Sequence, residues 1–157
     1  MVRSRFGAAL AFWLVTASLP VAAQTAPLVA NPTLATIPVT LAAGGETHKY
    51  TVETARTTAE QARGLMLRKT MKRNHGMIFP LGTPREASFW MEGTYLPLDI
   101  IFIAPDMTVR RIAANAVPFS RAEILSGGPV AAILELNAGE AARIGLRPGD
   151  KVDYRIN

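Results

Sequence analysis

The chain has 157 residues, 17 basic against 12 acidic side chains, a formal net charge of +5 and no cysteine. That length suits one domain around one core, and the missing cysteines exclude a thiol nucleophile, a disulfide framework and cysteine-bound zinc or iron–sulfur chemistry. His48 and His75 stand outside any HExxH-like spacing, and no basic stripe with interleaved aromatics is present, so neither a metal centre nor a nucleic-acid surface is indicated.

The first 23 residues read as an export signal. Arg3 and Arg5 form a basic start, Ala8 to Leu19 is a short apolar run, and Val21-Ala22-Ala23 offers small residues for cleavage before Gln24. A spanning helix needs about 20 apolar residues, so a cleaved signal is preferred to a membrane anchor, and no stable span is expected afterwards. Periplasmic or secreted placement follows. Residues 24–33, rich in Ala, Pro and Thr, predict a flexible lead, and 34–157 a single domain.

Ala35 to Leu41 and Thr47 to Glu53 alternate like strands about the turn Gly44-Gly45, which predicts a hairpin. Thr57-Thr58-Ala59-Glu60 matches a capping box and opens a short helix, with Gly64 as the left-handed residue that ends it. Gly76 to Pro80 predicts a strand, Leu81-Gly82-Thr83-Pro84 a turn, and Arg85 to Met91 a returning strand.

Leu98 to Ile103 is the most apolar stretch after the signal. Strand periodicity puts Leu98, Ile100 and Phe102 on one face and Asp99, Ile101 and Ile103 on the other, so both faces are buried and an acid is buried with them. Pro97 sets the approach to this strand. Thr108 to Ala113 predicts its hairpin partner, and Val130 to Leu136 another apolar strand, with Glu135 on the face of Ile133 and Ala131. A second short helix is expected with Asn137 as cap and Gly145 as stop, before a turn over Arg147-Pro148-Gly149-Asp150 and a last strand from Lys151 to Ile156. Many short strands with two short helices predict a mainly-β domain, a compact barrel or sandwich.

Several blocks occur in a family's order: Arg63-Gly64-Leu65-Met66, Gly76-Met77-Ile78-Phe79, Phe89-Trp90-Met91 with Thr94, Leu96-Pro97-Leu98-Asp99-Ile100, Leu134-Glu135-Leu136-Asn137-Ala138-Gly139, Gly145 and Gly149-Asp150. From about Tyr50 to Tyr154 the chain resembles the DUF192 family. The resemblance implies a compact mainly-β fold in secreted or envelope-associated bacterial proteins, and it implies no activity. Where the family usually carries a Lys-Asn pair after Trp-Met, this chain has Glu92-Gly93.

An ionised carboxylate removed from water costs several kcal/mol unless paired, so Asp99 and Glu135 each call for a partner, and Arg63 and Arg68 are the candidates. In the functional reading, Arg63, Arg68, Trp90, Thr94, Tyr95, Asp99 and Glu135 line one cleft, where Trp90 stacks on a sugar or other flat ligand. The structural reading makes the charges a tie between helix and sheet, and Trp90 core. The leading expectation is a non-catalytic protein of the cell envelope, binding a small molecule, a glycan or another envelope protein, with no cofactor. The alternative is a hydrolase of envelope carbohydrate with Asp99 and Glu135 as acid and base. No GxSxG elbow or other nucleophile–base set supports catalysis.

Overall fold

The computed structural model describes residues 28–156. The expected signal segment and the start of the lead lie outside the described residues. Among the described residues the elements run β1 (Thr36–Ala43), β2 (Glu46–Thr54), α1 (Thr58–Arg63), β3 (His75–Arg85), β4 (Ser88–Phe89), β5 (Leu98–Ile103), β6 (Val109–Ala116), β7 (Ile124–Leu125), β8 (Val130–Asn137), α2 (Glu140–Ile144) and β9 (Lys151–Tyr154). No helix among them is long and apolar enough to cross a membrane.

Seven strands form one sheet in the order β6-β5-β8-β3-β2-β1-β9, and β4 pairs with β7 in a separate ribbon. The pairings are antiparallel except β2 with β3, which is parallel because α1 and its following loop carry the chain back across the sheet. An isolated bridge between Thr108 and Lys151 ties one end of the sheet's two edges together, without a ladder that would close a barrel. The mainly-β expectation therefore holds in its sandwich-like form.

The adjacent strands β5 and β8 have two dry faces. From β5, Ile101 and Ile103 join a core with β1, β2, β9 and α2, while Leu98, Ile100 and Phe102 join a second core beneath the 87–98 loop. All six β5 residues are buried, which is what the two-sided apolar pattern requires.

Three local expectations are corrected. The turn over Leu81-Gly82-Thr83-Pro84 is an irregularity inside β3: Pro80 faces Ala132 and Arg85 faces Val130, so the surplus residues bulge outward. Prolines lacking an N–H and Gly82 at φ +68° suit a bulge as well as a turn. Arg85 to Met91 does not run back as a strand: Arg85 is the last residue of β3, and of the residues after it only Ser88 and Phe89 pair, with Leu125 and Ile124.

Asn137 does not cap α2. Its amide donates to the carbonyls of Met71 and Lys72, both at 3.3 Å, and Gly139 at φ +82° is the cap residue, with no side-chain bond of its own. The first helix follows its sequence more closely. Thr57 and Glu60 exchange both capping-box bonds, and the Gly64 N–H donates to the Glu60 carbonyl. Gly64 has φ +47° and ψ −134°, outside the ordinary left-handed cap and open to glycine alone.

Candidate functional site

The strand register decides where the two central acids go. Asp99 lies opposite Leu136 and Glu135 opposite Ile100, so the acids occupy adjacent strands with opposite facing. Asp99 points into the core with Ile101 and Leu136, whereas Glu135 shares its face with Met77 and Ile100. The structure does not bring them to a common cleft, and the acid–base pair of the hydrolase alternative has no geometry.

Asp99 is fully buried, and its partners are not arginines. The Asn115 N–H donates to Oδ1 at 2.9 Å and the Ala141 N–H to Oδ2 at 2.8 Å. The carboxylate thus serves the N-terminus of α2 that Asn137 leaves uncapped, from a neighbouring strand. Arg68 also differs from expectation: it makes a two-pronged pair with Glu53, through Nη1 to Oε1 and Nη2 to Oε2, the latter at 2.8 Å. Burial would raise the Glu53 carboxyl, yet the Arg68 bonds and the Leu34 N–H at 2.7 Å outweigh it and hold the group below its ordinary range.

Glu135 has no such partner. It is 5% exposed, and among the described residues its carboxyl group makes no hydrogen bond or ion pair. Burial alone pushes it from the ordinary 4.5 up to about 8, so it keeps its proton at neutral pH and is a hydrogen-bond donor.

Glu135 opens into a cavity of about 270 Å³ between the second core face and the segments that cross it. The sheet supplies Glu135, Phe79, Leu81 and Arg85. One wall is α1 with the residues that follow it, from Gln61 through Arg63 and Gly64 to Met66. The other runs from Ala87 through Ser88 and Phe89 to Trp90, with Thr94. Phe79 and Phe89 meet edge to face at 5.1 Å, which fixes the aromatic end of the lining.

The α1 wall is held by side-chain amides. Gln61 Nε2 donates to the carbonyls of Ala55 at 3.1 Å and Pro80 at 2.8 Å, while Asn31 Nδ2 donates to those of Glu60 and Gly64 at 3.0 and 3.1 Å. Arg63 donates to the Val29 carbonyl, and Arg68 Nη2 to that of Pro32 at 3.1 Å. Residues 29–32 of the expected lead are thus bonded along the helix and the loop after it.

Of the seven predicted site residues, the structure gathers Arg63, Trp90, Thr94 and Glu135 around this cavity. Trp90 is half exposed at its rim, so it is not core. Tyr95 turns outward and meets the Phe119 ring at 4.9 Å, and Arg68 and Asp99 are engaged elsewhere. The sequence reasoning missed Gln61, Phe79, Leu81, Arg85 and Phe89. Phe79 and Phe89 stand within blocks already singled out, whereas nothing local marks Arg85 as a wall residue. In the loop that departs from the family pattern, Glu92 pairs with Arg121 at 2.6 Å and Gly93 takes φ +65°.

A second hollow, lined by His48, Tyr50, Arg73 and Arg143 among others, is wider, at about 510 Å³. Its chemistry is already internal. Arg143 binds Glu140 at 2.5 and 2.9 Å, and the Tyr50 hydroxyl donates to the same carboxylate at 2.8 Å. The smaller cleft, with its unengaged acid, is the better candidate.

Comparison with known proteins agrees with this fold. A crystal structure from Sinorhizobium meliloti 1021, described as a candidate transcription regulator, superposes with a TM-score of 0.76 at 46% identity, covering 79% of this chain and 97% of that one. A protein of unknown function from Novosphingobium aromaticivorans DSM 12444 gives a TM-score of 0.75 at 45% identity, covering 87% of this chain and 99% of that one. Nothing among curated proteins matches the chain. The family model DUF192, described as an uncharacterized ACR, matches residues 39–154 and so takes in both central acids and every residue lining the cleft; the chain belongs to the DUF192 family.

Proposed function

We propose that this DUF192 domain is an exported, non-catalytic small-ligand-binding protein of the cell envelope, with the cleft at Trp90 as its site. One observation carries the reading: the cleft holds a buried carboxyl group without a partner, in a chain that has partnered its other buried acids. Asp99 has two backbone N–H groups, and Glu140 has Arg143 and Tyr50. Burial disfavours an ionised carboxyl group that no partner compensates, and such departures from the stability optimum concentrate where function needs them. The apolar lining, the size of the cavity and the half-exposed indole at its rim suit a small flat molecule or a sugar ring. Export is supported by the basic start, the short apolar run and the small residues ending at Ala23.

A thermal-shift screen with small cyclic and aromatic compounds, on protein expressed as the full chain, tests the site. A ligand present at about a hundredfold its dissociation constant adds about 2.7 kcal/mol of stability, enough to raise the melting midpoint by several degrees. Ser88→Trp, which fills the cleft from an exposed position, is expected to abolish that rise. Compounds that stabilise the variant equally, or a screen in which none stabilises the parent, would contradict the assignment.

A further inference from the structure

We infer that the cleft takes a small organic carboxylate with a ring-sized apolar body, its head accepting hydrogen bonds from the Glu135 carboxyl group and from a guanidinium of the same walls. This rests on the ligand-binding reading above and adds the ligand's chemical class. The polar groups around the cavity are mostly donors. Arg63, Arg85 and the Trp90 indole can only donate, and the Ser88 and Thr94 hydroxyls can do so. Arg63 and Arg85 each give one bond to a backbone carbonyl, of Val29 and Glu86, leaving most of their five N–H groups available. A ligand rich in acceptors satisfies this lining, and one rich in donors does not.

Charge selects in the same direction. Glu135 is the one acid among the residues lining the cavity, and it forms no ion pair: Met77 of β3 and Ile100 of β5 flank it in the sheet, and Trp90 and Thr94 on the facing wall are neutral. Among the residues lining the cavity, the charged groups besides Glu135 are Arg63 from α1 and Arg85 from β3; Glu60 of α1, His75 of β3 and Asp99 of β5 lie outside the lining. With the acid's proton retained by burial, the cleft is positive, so an ammonium meets like charge while a carboxylate meets two guanidiniums. A neutral carboxylic acid also donates well to a carboxylate oxygen, in a short charge-assisted bond.

Isothermal titration of the protein from full-chain expression with benzoate, benzamide and benzylamine separates the classes, because the three share one ring and differ in the head. Benzoate is expected to bind about tenfold tighter than benzamide, with benzylamine weakest. Because the bound form needs the proton on Glu135, benzoate affinity is expected to fall about tenfold between roughly pH 7 and pH 9. Neither histidine lines the cavity, so neither accounts for that fall. Glu135→Gln is expected to bind benzoate with no such fall, and Arg85→Met to weaken benzoate about fivefold while sparing benzamide. A preference for benzylamine that strengthens as pH rises, or a preference for benzamide, would overturn the carboxylate class and leave the binding site standing. If none of the three binds or moves the Trp90 indole N–H resonance, the class and the site fall together.

Discussion

Asp99 and Glu135 are similar acids put to opposite uses by a single step of strand register. Asp99 is consumed by the fold, because its two oxygens satisfy the N–H groups of Asn115 and Ala141, which belong to β6 and α2. Asp99→Ala leaves the buried Ala141 N–H and the part-buried Asn115 N–H without their acceptor, and is expected to lower the unfolding free energy by about 2–4 kcal/mol in urea titrations. Asp99→Asn is expected to restore only part of that loss, since the amide offers one acceptor oxygen and turns an N–H group toward the other donor. An unchanged urea midpoint for the alanine variant would remove Asp99 from this capping role. The residue's burial was readable from its apolar neighbours; its partners were not. A backbone N–H carries no signature in the sequence, and the acid that Arg68 meets, Glu53, is set by the fold from 15 residues away.

The elements that shape the cleft depend on close approach. A Cβ on Gly76 would lie 2.3 Å from the Glu135 carbonyl oxygen and 2.8 Å from Leu136 Cδ2, so β3 and β8 reach their spacing beside the acid only with glycine there. Backbone cannot move aside as a flexible side chain can. Gly76→Ala is therefore expected to destabilise the protein by about 2 kcal/mol or more, measured by urea unfolding, and a neutral effect would contradict the tight β3 to β8 contact. Most elements were legible because they rest on local signals: the alternation in β1 and β2, the Thr57 to Glu60 box, the apolar run of β5. The bulge in β3 and the cap of α2 were not. Each is decided by what stands opposite, β8 for the bulge and Asp99 for the cap, and a local reading of Pro80 to Pro84 or of Asn137 sees only a turn former and a cap former.

At the scale of the whole molecule, Glu135 makes folding depend on pH in an unusual direction. Its carboxyl group titrates near 4.5 when unfolded and is pushed up to about 8 when folded, so between those values the folded state holds the proton that the unfolded state has lost. Stability contributed by this group is then undiminished below about pH 4.5 and falls as pH rises toward 8, by about 1.4 kcal/mol per unit, or roughly 3 kcal/mol by pH 7. Glu53 acts in the reverse sense. Its depressed carboxyl group adds stability that is present above its ordinary range and disappears as acid protonates it. The sequence located Glu135 in an apolar strand, yet its lack of a partner and its place in a cleft with Arg63, Trp90 and Thr94 emerge only when β8, α1 and the 87–94 segment are assembled. The decisive measurement is the difference in urea-unfolding free energy between the parent and Glu135→Gln across pH 5 to 9. An unpartnered buried acid predicts that the variant gains steadily on the parent up to about pH 8, by roughly 3 kcal/mol at pH 7. A difference that does not change with pH would mean that Glu135 is ionised and satisfied in the folded protein, and the proposed site would lose its basis.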